Sequence, residues 1–208
     1  MIFGKIDYLN LLPFYIFLQK RVPKISIFRK GVPSNINKAF HSRKVDLAFI
    51  SSVTSKKSQC SDLGIIARDE VLSVLILSGK FKKDSASETS NRLAEILEIK
   101  GEVVIGDKAL SLYFNSSQTV IDLALEWKKK YNLPFVFAKL CFHKNNSFIR
   151  RLEKKFRQEK VYIPHYIMER ESKRVQISKK RIKFYLSKID YKCDQKSRKG
   201  LNKFLYYR

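Results

Sequence analysis

Ile2-Phe3-Gly4-Lys5-Ile6-Asp7-Tyr8-Leu9-Asn10-Leu11-Leu12-Pro13 is the stretch whose reading decides the fold. Its first residues form a short apolar run, which reads as a buried strand over 2–8. Asn10 then stands near a helix cap and Pro13 in the first turn, so a helix is expected through about Lys20. A strand that runs straight into a helix is the repeating unit of a parallel α/β sheet.

Ile25-Ser26-Ile27-Phe28 reads as a short second strand. Gly31-Val32-Pro33-Ser34 is a turn with helix-start chemistry, and Ile36, Ala39 and Phe40 give the next helix an inner face. Val45-Asp46-Leu47-Ala48-Phe49-Ile50 is a third strand, closed by Ser51-Ser52. This alternation predicts parallel strands joined by right-handed crossovers. Ile65 to Ala67 and Val71 to Leu77 are two further strands, followed by the polar cluster Asp84-Ser85-Ala86-Ser87-Glu88-Thr89-Ser90. In such sheets ligands sit at the carboxyl ends of strands, where polar loops and helix starts converge. The clusters at Asp7–Asn10, Ser51-Ser52 and Asp84–Ser90 are therefore expected to rim one cleft.

Ser78 to Lys83 reads as a crossing into a second lobe. A helix with Leu93, Ile96 and Leu97 inside opens it, and Glu102 to Ile105 is a buried strand that ends at Gly106-Asp107. Val120, Leu123, Ala124, Trp127 and Tyr131 follow helical spacing. Leu133-Pro134 stops that helix and begins another strand. Ile149, Leu152 and Phe156 mark a further helix, and the chain is expected to return to the first lobe near Val161–Pro164. Two closing helices carry Ile182, Tyr185, Leu186 and Ile189, then Leu201, Phe204 and Leu205. The expected organisation is an α/β chain with residues 1–79 and 163–208 in one lobe, 80–162 inserted as a second, and a cleft between them.

The chain has 208 residues, 44% of them hydrophobic, and a formal net charge of +24. Residues 150–208 carry 20 Lys/Arg against 6 Asp/Glu, and residues 1–149 carry 23 against 13. The charges are spread and interrupt helical apolar periodicity, which favours a solvated basic surface over steering of an anionic ligand or a nucleic-acid partner. No specific nucleic acid is expected, since no recognition module is present. No apolar run is long enough to span a membrane. The apolar start is broken by Lys5, Asp7 and Asn10, so a cytoplasmic place is expected. Cys60, Cys141 and Cys193 are odd in number and widely spaced, and read as reduced thiols. No metal and no cofactor are expected.

The motifs resemble, in order, those of a menaquinone-biosynthesis family whose members include a chorismate dehydratase of the futalosine route. The likeness is carried by Gly4 to Pro13, Gly31-Val32-Pro33-Ser34 with Asn37, Asp46 to Ser52, Asp84 to Ser90, Ile105-Gly106-Asp107-Lys108-Ala109-Leu110, and Leu123–Trp127 with Leu133–Ala138. It is strong over residues 4–138 and weak beyond about 145. Glu88 departs from it, standing where many relatives carry a basic residue. The Ser-Pro-Cys-x-Asn-Asp opening of the sister enzyme dihydroxynaphthoate synthase is absent. The resemblance implies a two-lobed fold of the type II periplasmic-binding-protein kind and loss of water from chorismate to give 3-[(1-carboxyvinyl)oxy]benzoate. It also implies that the substrate's own enolpyruvyl carboxylate accepts the proton, so that the protein supplies mainly hydrogen-bond donors. A non-catalytic binder of a small anionic ligand is the alternative.

Asn10 and Ser51 are expected in the catalytic role, because an amide both donates and accepts and a strand-end hydroxyl can face a ligand. Ser52, Ser87, Thr89, Ser90, Gly106 and Asp107 are expected to bind substrate. Each also has a plainer reading. Asn10, Thr89, Ser90 and Asp107 suit helix caps, and Ser51-Ser52 suits a strand-to-helix turn. His41, His143 and His165 lie outside the motif clusters and read as surface or capping residues.

Overall fold

Residues 1–22, 28–144 and 146–207 are described by the computed structural model. Strand β1 (Phe3–Ile6) leads into a 3-10 turn, Leu9–Leu11, and then helix α1 (Leu12–Arg21). Next come β2 (Phe28–Gly31), α2 (Pro33–His41), β3 (Leu47–Ser51), the single-turn α3 (Ser52–Ser55) and β4 (Cys60–Ala67). A second group holds β5 (Val74–Leu77), α4 (Glu88–Leu97), β6 (Glu102–Ile105), α5 (Gly106–Asn115), β7 (Val120–Asp122) and α6 (Leu123–Tyr131). The chain finishes with β8 (Phe135–Phe142), α7 (Asn146–Gln158), α8 (His165–Val175), α9 (Lys179–Ser187), β9 (Ile189–Lys192) and α10 (Gln195–Leu205).

Among the described residues the strands form two sheets. Six pair in the order β2-β1-β3-β8-β4-β9, and three in the order β6-β5-β7. The β1 strand runs parallel to both β2 and β3, as the strand–helix alternation requires. The rest of the larger sheet is antiparallel, because β8 enters between β3 and β4 from the opposite direction. The smaller sheet is antiparallel throughout.

These pairings bear on several of the sequence expectations. The strand expected at Ile25–Phe28 lies, except for Phe28, outside the described residues. Val71 to Ser73 precede β5, and β5 itself pairs in the smaller sheet, so the chain changes sheets between Ala67 and Val74. It changes back between Asp122 and Phe135, well before Val161. The breaks at 79/80 and 162/163 therefore differ from where the strands change sheets. An apolar run announces a strand, and nothing in its periodicity says which sheet it joins. Val120 fits helical spacing but lies in β7. The Asp122 side chain accepts the N–H groups of Ala124 and Leu125 at 2.9 and 3.1 Å, and this cap starts α6 at Leu123. The closing segment contains α8 and β9 in addition to the two expected helices.

Cys60 and Cys141 stand directly opposite each other on β4 and β8, with their sulfurs in a disulfide; Cys193 is free and buried. The expectation of three reduced thiols is corrected for this pair. A separation of 81 residues hides a cross-strand neighbour that only the register of the sheet reveals.

Aromatic rings fill the core beneath β1 and β3. Phe14 of α1 meets Phe49 edge-on at 5.0 Å and Phe156 of α7 at 5.1 Å. Trp127 is fully buried against Phe135 and Phe204, which ties α6 and α10 to β8.

Candidate active site

Five helix starts meet at one cavity between the two sheets. Leu11 caps α1, Pro33 opens α2, Ser51 caps α3, Ser87 caps α4 and Gly106 opens α5. All five residues line one cavity, together with Tyr8, Asn10, Ser73, Ser90 and apolar walls from Phe49, Ile65 and Phe137. The first N–H groups of a helix have no partner within it, and the aligned peptide dipoles place partial positive charge at that end. No ionised side chain lines the cavity among the described residues. The polarity of its wall therefore comes from oriented dipoles rather than from side-chain charge.

The lining polar groups are held by partners behind the wall. Ser51 is fixed twice by Asn37, whose amide nitrogen donates to Ser51 Oγ at 2.8 Å and whose amide oxygen accepts the Ser51 N–H at 3.0 Å. Tyr185 donates its phenol proton to Ser73 Oγ at 3.0 Å. Burial pushes the Tyr185 hydroxyl up in pKa, so it stays a donor. A serine oxygen that accepts such a bond keeps its own proton for another partner. Ser87 Oγ accepts the Ser90 N–H at 3.2 Å, and the two hydroxyls lie 2.8 Å apart. Ser51, Ser73, Ser87 and Ser90 are all buried. Their donors, with the free N–H groups of α4, suit a carboxylate.

Asn10 stands apart from these. It lines the cavity, and its side-chain oxygen is buried with no hydrogen-bond partner among the described residues. The plainer reading, a helix cap, does not describe it, since Leu11 is the N-cap of α1 and no side chain caps that end. An unpaired buried amide oxygen costs free energy unless a ligand satisfies it.

Of the eight residues expected in the site, Asn10, Ser51, Ser87, Ser90 and Gly106 line this cavity. Ser52, Thr89 and Asp107 do not line it. Ser52 Oγ donates to the Val136 carbonyl at 2.5 Å. Thr89 Oγ1 accepts the Val53 N–H at 3.2 Å, tying α4 to the start of α3. Asp107 Oδ1 accepts the Leu9 N–H at 3.0 Å, and Oδ2 pairs with Arg174 at 2.7 Å. Burial raises the Asp107 pKa, and the Leu9 N–H and Arg174 oppose the rise.

Tyr8 forms a wall whose ring packs over Gly106. A Cβ on Gly106 would lie 2.6 Å from the ring, and Gly106 has φ +67°, a conformation that suits glycine. Burial, then Asp84 and Asp107, push the Tyr8 hydroxyl up to about 12. No histidine lines the cavity. The His143 ring stacks on Phe40 at 4.1 Å and its Nε2 lies 2.8 Å from the Phe40 carbonyl. The sequence does not single out Ser73 or Tyr185 for the site. Ser73 sits inside an apolar strand-like run, and Tyr185 lies beyond residue 145, outside the motifs quoted for the resemblance.

A sequence model of the menaquinone biosynthesis family matches residues 1–100 and 85–208. The chain is 42% identical over 214 residues to a chorismate dehydratase of Campylobacter jejuni subsp. jejuni serotype O:23/36 (strain 81-176), covering 99% of this chain and 96% of that relative. Among solved structures, protein AF1704 of Archaeoglobus fulgidus superposes with a TM-score of 0.66 at 10% identity, covering 98% of this chain and 94% of that one. The Candida albicans CA3427 gene product, described as having the generic periplasmic binding protein fold, gives 0.59 at 13% identity, covering 99% and 88%. The alkanesulfonate-binding protein SsuA of Xanthomonas axonopodis pv. citri, bound to MOPS, gives 0.53 at 9% identity, covering 91% and 84%. These distant likenesses establish the fold, an α/β two-lobed binding-protein-like architecture. The family match runs from one end of the sequence to the other, and the protein belongs to the menaquinone biosynthesis family.

Proposed function

We propose that this protein is a chorismate dehydratase, a carbon–oxygen lyase that converts chorismate to 3-[(1-carboxyvinyl)oxy]benzoate and water. The observation that carries the reading is the uncharged cavity ringed by four serine hydroxyls and five helix starts, with the Asn10 amide oxygen unpaired within it. The 42% identity to a chorismate dehydratase supports it.

Chorismate carries two carboxylates. In the elimination the ring C3–H and C4–O bonds break, a ring double bond forms, and water leaves from an aromatic product. Aromatisation supplies much of the driving force. The protein's task is to hold both carboxylates and align the two breaking bonds; orientation alone contributes about 7–11 kcal/mol in favourable cases. In this reading Ser87, Ser90 and the α4 start bind one carboxylate. Asn10 aligns the C4 hydroxyl and the enolpyruvyl group, and Ser51 donates across the cavity. The enolpyruvyl carboxylate itself takes the C3 proton and gives it up to the hydroxide leaving C4, which departs as water; this fits a wall without an ionised base. Gly106 gives the Tyr8 wall its close seat. Ser52, Thr89 and Asp107 act from outside the cavity by fixing the backbone around it. We further place the reaction in the cytoplasm, at an early step of the futalosine route.

Incubation of the protein with chorismate alone, followed by chromatography and mass detection, tests the assignment. A product lighter by one water, matching the carboxyvinyloxybenzoate, is expected. Tight chorismate binding without turnover would favour the alternative of a non-catalytic binder, a reading consistent with the fold shared with SsuA. Neither binding nor turnover would overturn both.

A further inference from the structure

Asn10 is held through its backbone from a distant part of the chain. Its carbonyl accepts a hydrogen bond from the phenol of Tyr191, on β9, at 2.6 Å. The carbonyl has a reason to need an outside donor. A 3-10 turn bonds each carbonyl to the N–H three residues on, and three residues after Asn10 stands Pro13, which has none. Burial pushes the Tyr191 phenol well above its usual pKa, so it remains a donor at any working pH.

The donor itself is braced. The Tyr191 ring meets Phe156 edge-on at 5.3 Å, and Phe156 packs on Phe14 and Phe17 of α1, the helix that follows Asn10. Strand β9 is paired to β4 and anchored by Arg68, which bonds both Asp190 and Asp194. Tyr191 does not line the cavity, so its hydroxyl meets the site only through Asn10.

We propose that Tyr191 is a positioning residue that fixes the peptide of Asn10 and so aims the Asn10 amide at the reacting bonds. The inference rests on the chorismate-dehydratase reading of Asn10. It gives the C-terminal segment a role in rate: β9 sets the geometry of a group 181 residues earlier in the chain. A shift of the Asn10 peptide leaves the carboxylate-binding hydroxyls in place, so it weakens alignment in the transition state while leaving substrate affinity intact.

The test is Tyr191→Phe, which removes one oxygen and keeps the ring. With chorismate as substrate, kcat is expected to fall about tenfold, the scale of one directed hydrogen bond, with KM and melting temperature nearly unchanged. An unchanged kcat in the variant, beside an active parent, overturns the inference alone. A loss confined to KM, or one that follows a large fall in melting temperature, also overturns it, because a structural prop would behave in that way. An inactive parent overturns the dehydratase reading and this inference with it.

Discussion

Asp107 and Leu9 are joined across the two halves of the fold by a 3.0 Å hydrogen bond from the Leu9 N–H to the Asp107 carboxylate. Leu9 begins the turn that carries Asn10, and Asp107 stands in the first turn of α5, the helix that follows the smaller sheet's β6. Arg174 completes the arrangement by pairing with Asp107 and with Glu171. Asp107→Ala removes the acceptor of a buried N–H, and is expected to cost about 1–3 kcal/mol of stability and to lower kcat. Asp107→Asn keeps an acceptor for Leu9 and is expected to be milder. Denaturant unfolding of the two variants beside the parent tests the order; equal stability of all three would contradict it.

Asn10→Asp keeps size and replaces the amide donors with a charge. On the chorismate reading the ligand is a dianion, which the new carboxylate would repel while a donor is withdrawn. Turnover is expected to fall about a hundredfold, the scale seen when one directed donor is lost, with little change in melting temperature. Full activity in this variant would remove Asn10 from the mechanism.

Among the described residues the cavity wall contains one titratable side chain, Tyr8, pushed up to about 12. Turnover at saturating chorismate is therefore expected to be flat from about pH 6 to pH 10, the interval between ordinary histidine and tyrosine values. An inflection inside that interval, in a protein still folded by circular dichroism, would point to a protein base that the present reading lacks.

Gly106→Ala would place a methyl group 2.6 Å from the Tyr8 ring, at a φ of +67°. Steric displacement of Tyr8 and backbone strain together are expected to cost about 1–3 kcal/mol and to raise KM, since the wall of the cavity moves. Melting curves and steady-state kinetics of the variant check both effects; a wild-type KM would show that Tyr8 is not held by this contact.

Asp194 caps α10, and the Ser197 N–H and hydroxyl together with Arg68 hold its carboxyl down at about 2, against 3.8 for the free group. The folded state binds this proton more weakly than the unfolded chain. The capped carboxylate contributes stability above pH 3.8, and that contribution is lost as pH falls toward 2. Asp194→Asn is expected to lower stability at neutral pH and to narrow its gap to the parent in acid. A constant gap across that window would contradict the assignment.

Much of the candidate cavity's lining was legible because its parts sit where strands end and helices begin. Ser51, Ser87, Ser90 and Gly106 follow or precede apolar runs whose periods name the element. Ser73 was hidden because one serine inside Val71–Leu77 looks like a solvent-facing strand position. Thr89 and Asp107 share the residue types of their cavity-lining neighbours, and the tertiary hydrogen bonds to Val53 and Leu9 separate them. The supports at Asn37, Tyr185 and Tyr191 reach the site across sheet neighbours that lie far away in sequence. Hydrophobic period carries no information on such pairings, and for the same reason Cys60 and Cys141 read as unrelated thiols.

The place of β8 has a consequence for how the protein is made. Translation yields β1 to β4 before β8, yet β3 and β4 meet only through β8. All three strands of the smaller sheet lie within residues 74–122, so that sheet can be completed first on the ribosome. Until Phe135–Phe142 emerge, the edges of β3 and β4 that β8 will cover stay unpaired, and a premature stop or a long pause leaves them available to other chains.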